Sequence, residues 1–164
     1  MKSALSALLL LLTSPAFAAD QTPQVQHINP PSLSPPHGYT HVVAVDGGRT
    51  LFIAGQVPMD KHGKLVGASD FAAQVRQTFE NLKAALAAGG GDFTNVVEMT
   101  TYVTDMAQVD TYRKIRSEYM HDPLPAASLV KVKGLFRSDV MLEVSAVAAV
   151  PVTQPPAAPP RPEP

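Results

Sequence analysis

The first half of the chain alternates between short apolar runs and turn residues. Residues 41–45 and 50–54 are β-branched and apolar, and the glycines of the segment 46–49 between them suit a tight turn, which predicts a β-hairpin. Apolar residues then recur at steps of three or four, at Phe71, Val75, Phe79, Leu82 and Leu86. That period predicts an amphipathic helix with Ser69 or Asp70 as its N-cap and the three glycines 89–91 at its end.

The second half of the chain repeats these two signals. Residues 96–103 are typical of a strand, and helical spacing returns after the capping residue Asp105, at Val109, Tyr112, Ile115 and Tyr119. The extended runs 126–133 and 140–150 flank a loop and predict a second hairpin. The order is ββαβαββ. Because strand–helix–strand crossovers are right-handed, we expect an α+β fold with a mixed sheet and both helices on one face.

The last predicted hairpin has two faces of different character. One face is apolar and suits packing against the helices; it carries Val130, Val132, Val140, Leu142, Val144, Ala146 and Ala148. The other mixes polar and apolar residues and is predicted to be a subunit interface; it carries Ala127, Leu129, Lys131, Lys133, Asp139, Met141, Glu143, Ser145 and Val147. A turn centred near Phe136 would set Ala127 opposite Ser145 and Lys133 opposite Asp139.

The two ends of the chain differ from its centre. Lys2, an apolar run over residues 4–12 and small residues ending at Ala18 predict a signal peptide over residues 1–18, cleaved after Ala18, and hence a periplasmic or secreted protein. A membrane anchor or a buried N-terminal helix is the alternative, but about nine apolar residues fall short of the roughly 20 that span a bilayer. We expect an extended segment over 19–37, one domain over 38–150 and a proline-rich disordered tail over 151–164.

Composition excludes several classes of chemistry. Loss of Lys2 with the leader leaves 12 Lys and Arg against 14 Asp and Glu, so no basic surface is expected for nucleic acid. Cysteine is absent, which rules out disulfides and thiol catalysis. Residues 89–91 follow a helix and are not a phosphate loop, and no His, Asp and Glu residues stand at metal-ligand spacing. No metal site is expected.

Successive blocks of the sequence resemble the RidA/YjgF family. They are Ala54-Gly55-Gln56-Val57-Pro58, the segments 63–66, 77–84 and 96–106, Pro125-Ala126-Ala127-Ser128, and the segment 142–148. Their order and spacing match the family over about residues 38–150. The resemblance implies a chorismate-mutase-like (YjgF-like) fold and a homotrimer whose sheets face inward. It also implies a small-molecule cleft between neighbouring subunits, with no cofactor.

The sequence departs from the family pattern at the expected site. Members of the best-known subgroup hydrolyse enamines and imines, and an arginine in the block Pro-Ala-Arg-Ser binds the substrate carboxylate through two parallel hydrogen bonds. This chain has Ala127 at that position, and Ser145 where the family often has a glutamate. Loss of such a clamp is expected to cost on the order of 10²-fold in binding or rate.

Other positions of the family cleft are retained. The resemblance places Tyr39, Gly55, Gln56 and Glu143 beside a ligand, together with the altered positions 127 and 145. Each has a structural alternative: Tyr39 as an edge aromatic that packs on the sheet, Gly55 as a turn residue, and Glu143 as a partner of Lys131 on the neighbouring strand.

Two functional hypotheses therefore stand beside each other. In the first, the protein binds a small carbonyl-, enamine- or imine-type metabolite in intersubunit clefts, and Arg137 in the last loop is a candidate substitute cation, although loop arginines are usually solvated. The alternative is an active deaminase of the 2-iminobutanoate/2-iminopropanoate type that uses other groups. Ribonuclease activity, attributed to some relatives, is disfavoured because the charge is negative and His37, His41 and His121 form no acid–base pair.

Overall fold

The computed structural model describes residues 22–152 of the 164-residue chain. The elements follow in the order β1 (Gln24–Ile28), β2 (Val42–Asp46), β3 (Arg49–Gln56), α1 (Phe71–Ala88), β4 (Val96–Val103), α2 (Val109–Arg116), β5 (Ala126–Lys131) and β6 (Leu142–Val150). The predicted signal peptide with its cleavage site, and the tail from residue 153 onward, lie outside the described residues. Between residues 22 and 152, neither helix has the length and hydropathy needed to cross a membrane.

Four strands form a mixed sheet in the order β3-β6-β4-β5. Strand β6 is antiparallel to both β3 and β4, whereas β5 is parallel to β4. Both helices pack on one face of this sheet, and the core between them includes Phe79 and Leu82 of α1, Tyr112 of α2, Met99 of β4 and Val144 of β6. The predicted α+β class, the mixed sheet and the placement of both helices on one face are confirmed. The opposite face, away from the helices, is called the open face below.

Both predicted helices are present. In α1 the Asp70 side chain accepts a hydrogen bond from the backbone N–H of Ala73, so Asp70 rather than Ser69 is the N-cap, and the helix ends at Gly89. Before α2, Asp105 caps a short 3₁₀ turn at Met106–Gln108 instead of the helix itself. Tyr119 lies beyond the end of α2.

The first predicted hairpin is wrong. Strand β2 pairs with β1 in a separate two-stranded sheet, whereas β3 pairs with β6. The turn between them does form, with both Gly47 and Gly48 at positive φ. The apolar runs indicated two strands correctly but not their partners, because β1, with the sequence QVQHI, lies in the segment expected to be merely extended.

The second predicted hairpin is also wrong, since β4 lies between β5 and β6. The connection β4–α2–β5 is a helical crossover, and such crossovers join parallel neighbours. The register predicted for that hairpin is therefore wrong as well. Ala127 is the partner of Met99, and Ser145 is the partner of Thr100. Ala127 and Ser145 are therefore two strands apart.

This change of partner reverses the predicted faces of β5. Leu129 packs against the core, and Val130, predicted to face the helices, is 42% exposed. For β6 the assignment was correct, because Leu142, Val144, Ala146 and Ala148 are buried. Two predicted side-chain pairs are also wrong. Asp139 forms an ion pair with Arg137 rather than Lys133, and the strands that carry Glu143 and Lys131 are not neighbours.

Candidate functional site

A cavity of about 230 Å³ opens at the edge of the sheet beside β5. It is bounded by Ala127 and Leu129 of β5, by Arg113 and Arg116 of α2, and by the segment 37–39 that precedes β2. We call it the edge cavity. Two of the predicted ligand positions, Tyr39 and Ala127, meet there.

Hydrogen bonds to the chain just before β5 hold the Tyr39 segment in place. The backbone N–H of Thr40 donates to the carbonyl of Pro125 at 2.9 Å, and the Thr40 hydroxyl donates to the carbonyl of Leu124. Thr40 is buried and forms a parallel bridge with Ala126, the neighbour of Ala127. Tyr39 therefore lies at the cavity because its neighbour is tied to the start of β5, and its ring packs edge-on against His41.

The wall of the cavity nearest the core is a buried hydroxyl pair. Thr101 Oγ1 and Tyr112 Oη lie 2.7 Å apart, and both residues are buried. Burial raises the pKa of the Tyr112 hydroxyl, and the hydrogen bond with Thr101 opposes that shift. Tyr112 is therefore neutral at physiological pH. Together with Leu129 and Ala127 it makes this side of the cavity mainly apolar.

The outer wall of the cavity is cationic. Arg113 and Arg116 lie three residues apart on α2, a spacing that sets side chains on one side of a helix. Nη1 of Arg116 donates to the carbonyl of Gly38 at 2.9 Å, and its guanidinium carbon lies 6.0 Å from the centre of the Tyr112 ring. Sequence reasoning did not identify either arginine. Their helical spacing beside Tyr112 was the available signal.

The other predicted ligand residues lie on the open face or at the end of β3. Glu143 is next to Tyr102 of β4, and its carboxyl group lies directly over the backbone of Gly55, in the space that a Cβ there would fill. Gly55 is thus required for close approach and not for a positive φ. The side-chain amide of Gln56 donates to the carbonyl of Ala54 at 3.0 Å.

The structure therefore brings the predicted site residues together in two groups. Tyr39 and Ala127 meet at the edge cavity, on the side of the sheet that faces the helices. Gly55 and Glu143 meet each other, and Ser145 is the next open-face residue of β6 after Glu143. Within one protomer the sheet separates the two groups, so a site that includes both requires a second copy of the chain.

Arg137, the cation that the sequence offered as a substitute, is engaged elsewhere. Its guanidinium donates to both carboxylate oxygens of Asp139, at 3.0 and 2.6 Å, and holds the pKa of that carboxyl below its usual value. It does not border the edge cavity. Across residues 22–152, no three His, Asp or Glu side chains are grouped closely enough to hold a metal ion.

Comparisons with known proteins agree with this architecture. The family model described as Endoribonuclease L-PSP matches residues 30–150. A RutC family protein of Pyrococcus horikoshii is 39% identical over 106 residues, which are 64% of this chain and 82% of that protein. The human protein named 2-iminobutanoate/2-iminopropanoate deaminase is 33% identical over 110 residues, which are 67% of this chain and 78% of that protein.

Solved structures of similar proteins have the same fold. A Rid family protein of unknown function from Yersinia pestis superposes with a TM-score of 0.71 at 34% identity, over 77% of this chain and 98% of that one. RidA from an Antarctic Psychrobacter gives 0.59 at 28% identity, over 71% and 92% of the two chains. The fold is thus the chorismate-mutase-like fold of these proteins. The match of the family model over most of the chain, with these relatives, shows that the chain belongs to the Endoribonuclease L-PSP family, also called the RidA/YjgF family.

Proposed function

We propose that this protein binds a small carbonyl-, enamine- or imine-type metabolite in the edge cavity. The observation that carries the proposal is the cavity itself, because it joins Tyr39 and Ala127, two positions that the family resemblance marks as ligand positions. Its volume of about 230 Å³ is below the roughly 300–1,000 Å³ of pockets for drug-sized ligands. A ligand of a few carbon atoms fits this space.

The lining of the cavity matches a short 2-oxo or 2-imino acid. The apolar side formed by Ala127 and Leu129 suits an alkyl chain, and the buried hydroxyl pair of Thr101 and Tyr112 beside it is a polar group near which a carbonyl or imine group can lie. The two arginines supply positive charge for a carboxylate. Arginine and apolar surface together favour an acid over a neutral ketone.

Imine hydrolysis is the second candidate, and it is favoured by the relative named for that activity. In such a reaction the water oxygen adds to the imine carbon, the protons of water pass to the nitrogen, and the C–N bond breaks, which yields a 2-oxo acid and ammonia. A group that accepts the proton of water is needed. The residues that line the edge cavity include no Asp or Glu, and Glu143 lies across the sheet, so His37 is the candidate base among them. Because His37 is exposed and no carboxylate lines the cavity to orient its ring, the cavity within one protomer is better equipped to bind than to hydrolyse.

We also propose a homotrimer in the periplasm or outside the cell. An assembly is supported by Phe52, which is 84% exposed on the open face beside Val147 of β6. A second copy would also be the means to bring Glu143 to the edge cavity. Export is supported only by the leader sequence over residues 1–18.

The test is to measure binding and turnover on the same preparation. Isothermal titration calorimetry with 2-oxobutanoate is expected to give saturable binding. Ammonia release from 2-iminobutanoate generated in the assay is expected to stay at the level of the protein-free blank. Turnover well above the blank would establish the deaminase alternative. Absence of saturable binding together with absence of turnover would contradict the proposed function.

A further inference from the structure

We propose that Arg116, assisted by Arg113, binds the carboxylate of the ligand and so replaces the arginine that is missing at position 127. This inference rests on the proposed function, because it assigns residues to the same cavity. In the family pattern the arginine lies on the strand that corresponds to β5. Here the cation would come from helix α2, which borders the same edge cavity. It also limits the ligand class to small anionic acids, and to 2-oxo and 2-imino carboxylates in particular.

The first argument is that Arg116 forms no ion pair among the described residues. Its Nη1 donates to the Gly38 carbonyl, but its Nε is buried and has no hydrogen-bond partner among the described residues. Within residues 22–152, no carboxylate lies within 4 Å of this guanidinium. A charged, half-buried group with an unpaired donor is costly to maintain unless something binds it. A ligand carboxylate in the edge cavity would supply the missing negative charge.

The second argument is the way the backbone makes room for this side chain. Gly38 has a φ of +82°, a conformation that favours glycine. A Cβ on Gly38 would stand 2.8 Å from Nη2 of Arg116, which is too close for an undisturbed contact. The segment that presents Tyr39 thus also positions the guanidinium. The centre of the Tyr112 ring lies 6.0 Å from the guanidinium carbon.

Arg113 has the freedom to assist. Its guanidinium is 3.9 Å from the carboxylate of Asp110, and both side chains are largely exposed, so that pair is weak. Because Arg113 borders the same cavity, it can turn toward a bound anion at little cost. Arg137, by contrast, is fixed by two hydrogen bonds to Asp139.

The experiment removes the positive charge at position 116 and then restores a positive charge at position 127, on strand β5. Affinity for 2-oxobutanoate is measured by calorimetry for the unmodified protein, Arg116→Gln, Arg113→Gln, and the double variant Arg116→Gln with Ala127→Arg. Arg76→Gln is the matched control, because Arg76 pairs with Glu118 away from the cavity. Circular dichroism of each variant establishes that the fold is retained.

We expect Arg116→Gln to weaken binding by about 10- to 100-fold and Arg113→Gln by about 2- to 5-fold, with no change for Arg76→Gln. The double variant is expected to regain at least half of the lost affinity on a logarithmic scale, which a merely structural role of Arg116 would not explain. If the unmodified protein binds 2-oxobutanoate and Arg116→Gln binds it equally well, the inference fails while the proposed function stands. If the unmodified protein does not bind it, the inference fails, and absence of turnover as well would overturn the proposed function.

Discussion

The two faces of the four-stranded sheet have opposite roles in this molecule. The face under the helices carries the core, and at its edge beside β5 it borders the edge cavity with its cationic wall. The open face carries Phe52, Val147, Glu143 and Ser145, a mixture of apolar and polar side chains with no element of the described chain packed over it. The first face holds the fold together and bounds the edge cavity, whereas the second is suited to contact another subunit.

The largest expected effect comes from an aromatic substitution on each face. Phe79 is fully buried among the core residues, so Phe79→Ala is expected to lower the free energy of unfolding by about 3–5 kcal/mol, measured by urea denaturation. Phe52→Ala is expected to leave the circular dichroism spectrum unchanged and to shift the mass measured by light scattering from that of the proposed trimer toward that of one subunit. Equal losses of secondary structure in both variants would remove the contrast between the faces.

The next effect concerns a buried polar side chain that ties α1 to the start of β6. The amide of Gln74 donates to the carbonyls of Gly67 and Asp139, and its oxygen accepts from the N–H of Met141. Gln74→Ala would leave three partly buried backbone groups without this partner, so we expect a loss of about 3 kcal/mol in unfolding free energy. Gln77→Ala, one turn later and only partly buried, is the control and should cost less than about 1 kcal/mol.

A smaller effect tests the close contact on the open face. A Cβ at position 55 would occupy the place of the Glu143 carboxyl group, so Gly55→Ala is expected to destabilise the protein by about 1–2 kcal/mol. Adding Glu143→Ala should remove most of that loss. Unfolding free energies of the four members of this cycle measure the coupling. Additive losses would show that the two residues do not meet.

The smallest effect at neutral pH is expected from Tyr112. Tyr112→Phe removes the hydroxyl partner of Thr101 and should cost about 1 kcal/mol. Because burial raises the pKa of Tyr112 above its unfolded value, its contribution is fully present below about pH 10 and is lost as the pH rises through the folded value. The variant should therefore lose less stability between neutral and strongly alkaline pH than the unmodified protein. Identical alkaline profiles would contradict this assignment.

The sequence predicted the elements better than their neighbours. Strand β4 and helix α1 follow from periodicity and capping residues, which are local signals. The partners of β2 and β5 depend on contacts between distant segments, and alternation of side chains does not encode them. That is why both hairpins were wrong, and why the face of Ala127 was reversed.

The site was predictable in part for the same reason. Tyr39 and Ala127 were found by resemblance, and the structure brings them to one cavity. Arg116 was not predicted, because a β5–β6 hairpin places Arg137 in the loop after β5 and gives no reason to expect α2 beside that strand. The parallel crossover from β4 to β5 is what brings Arg116 to the cavity, and it is known only from the strand order.

Nuclear magnetic resonance of the labelled protein, titrated with 2-oxobutanoate, tests the central claim most directly. The claim predicts saturable shifts of the backbone amides of Tyr39, Ala127 and Arg116, and of the Arg116 Nε–H. Saturable shifts confined to Gly55, Glu143 and Ser145, with the edge cavity unaffected, would contradict it and place the ligand on the open face.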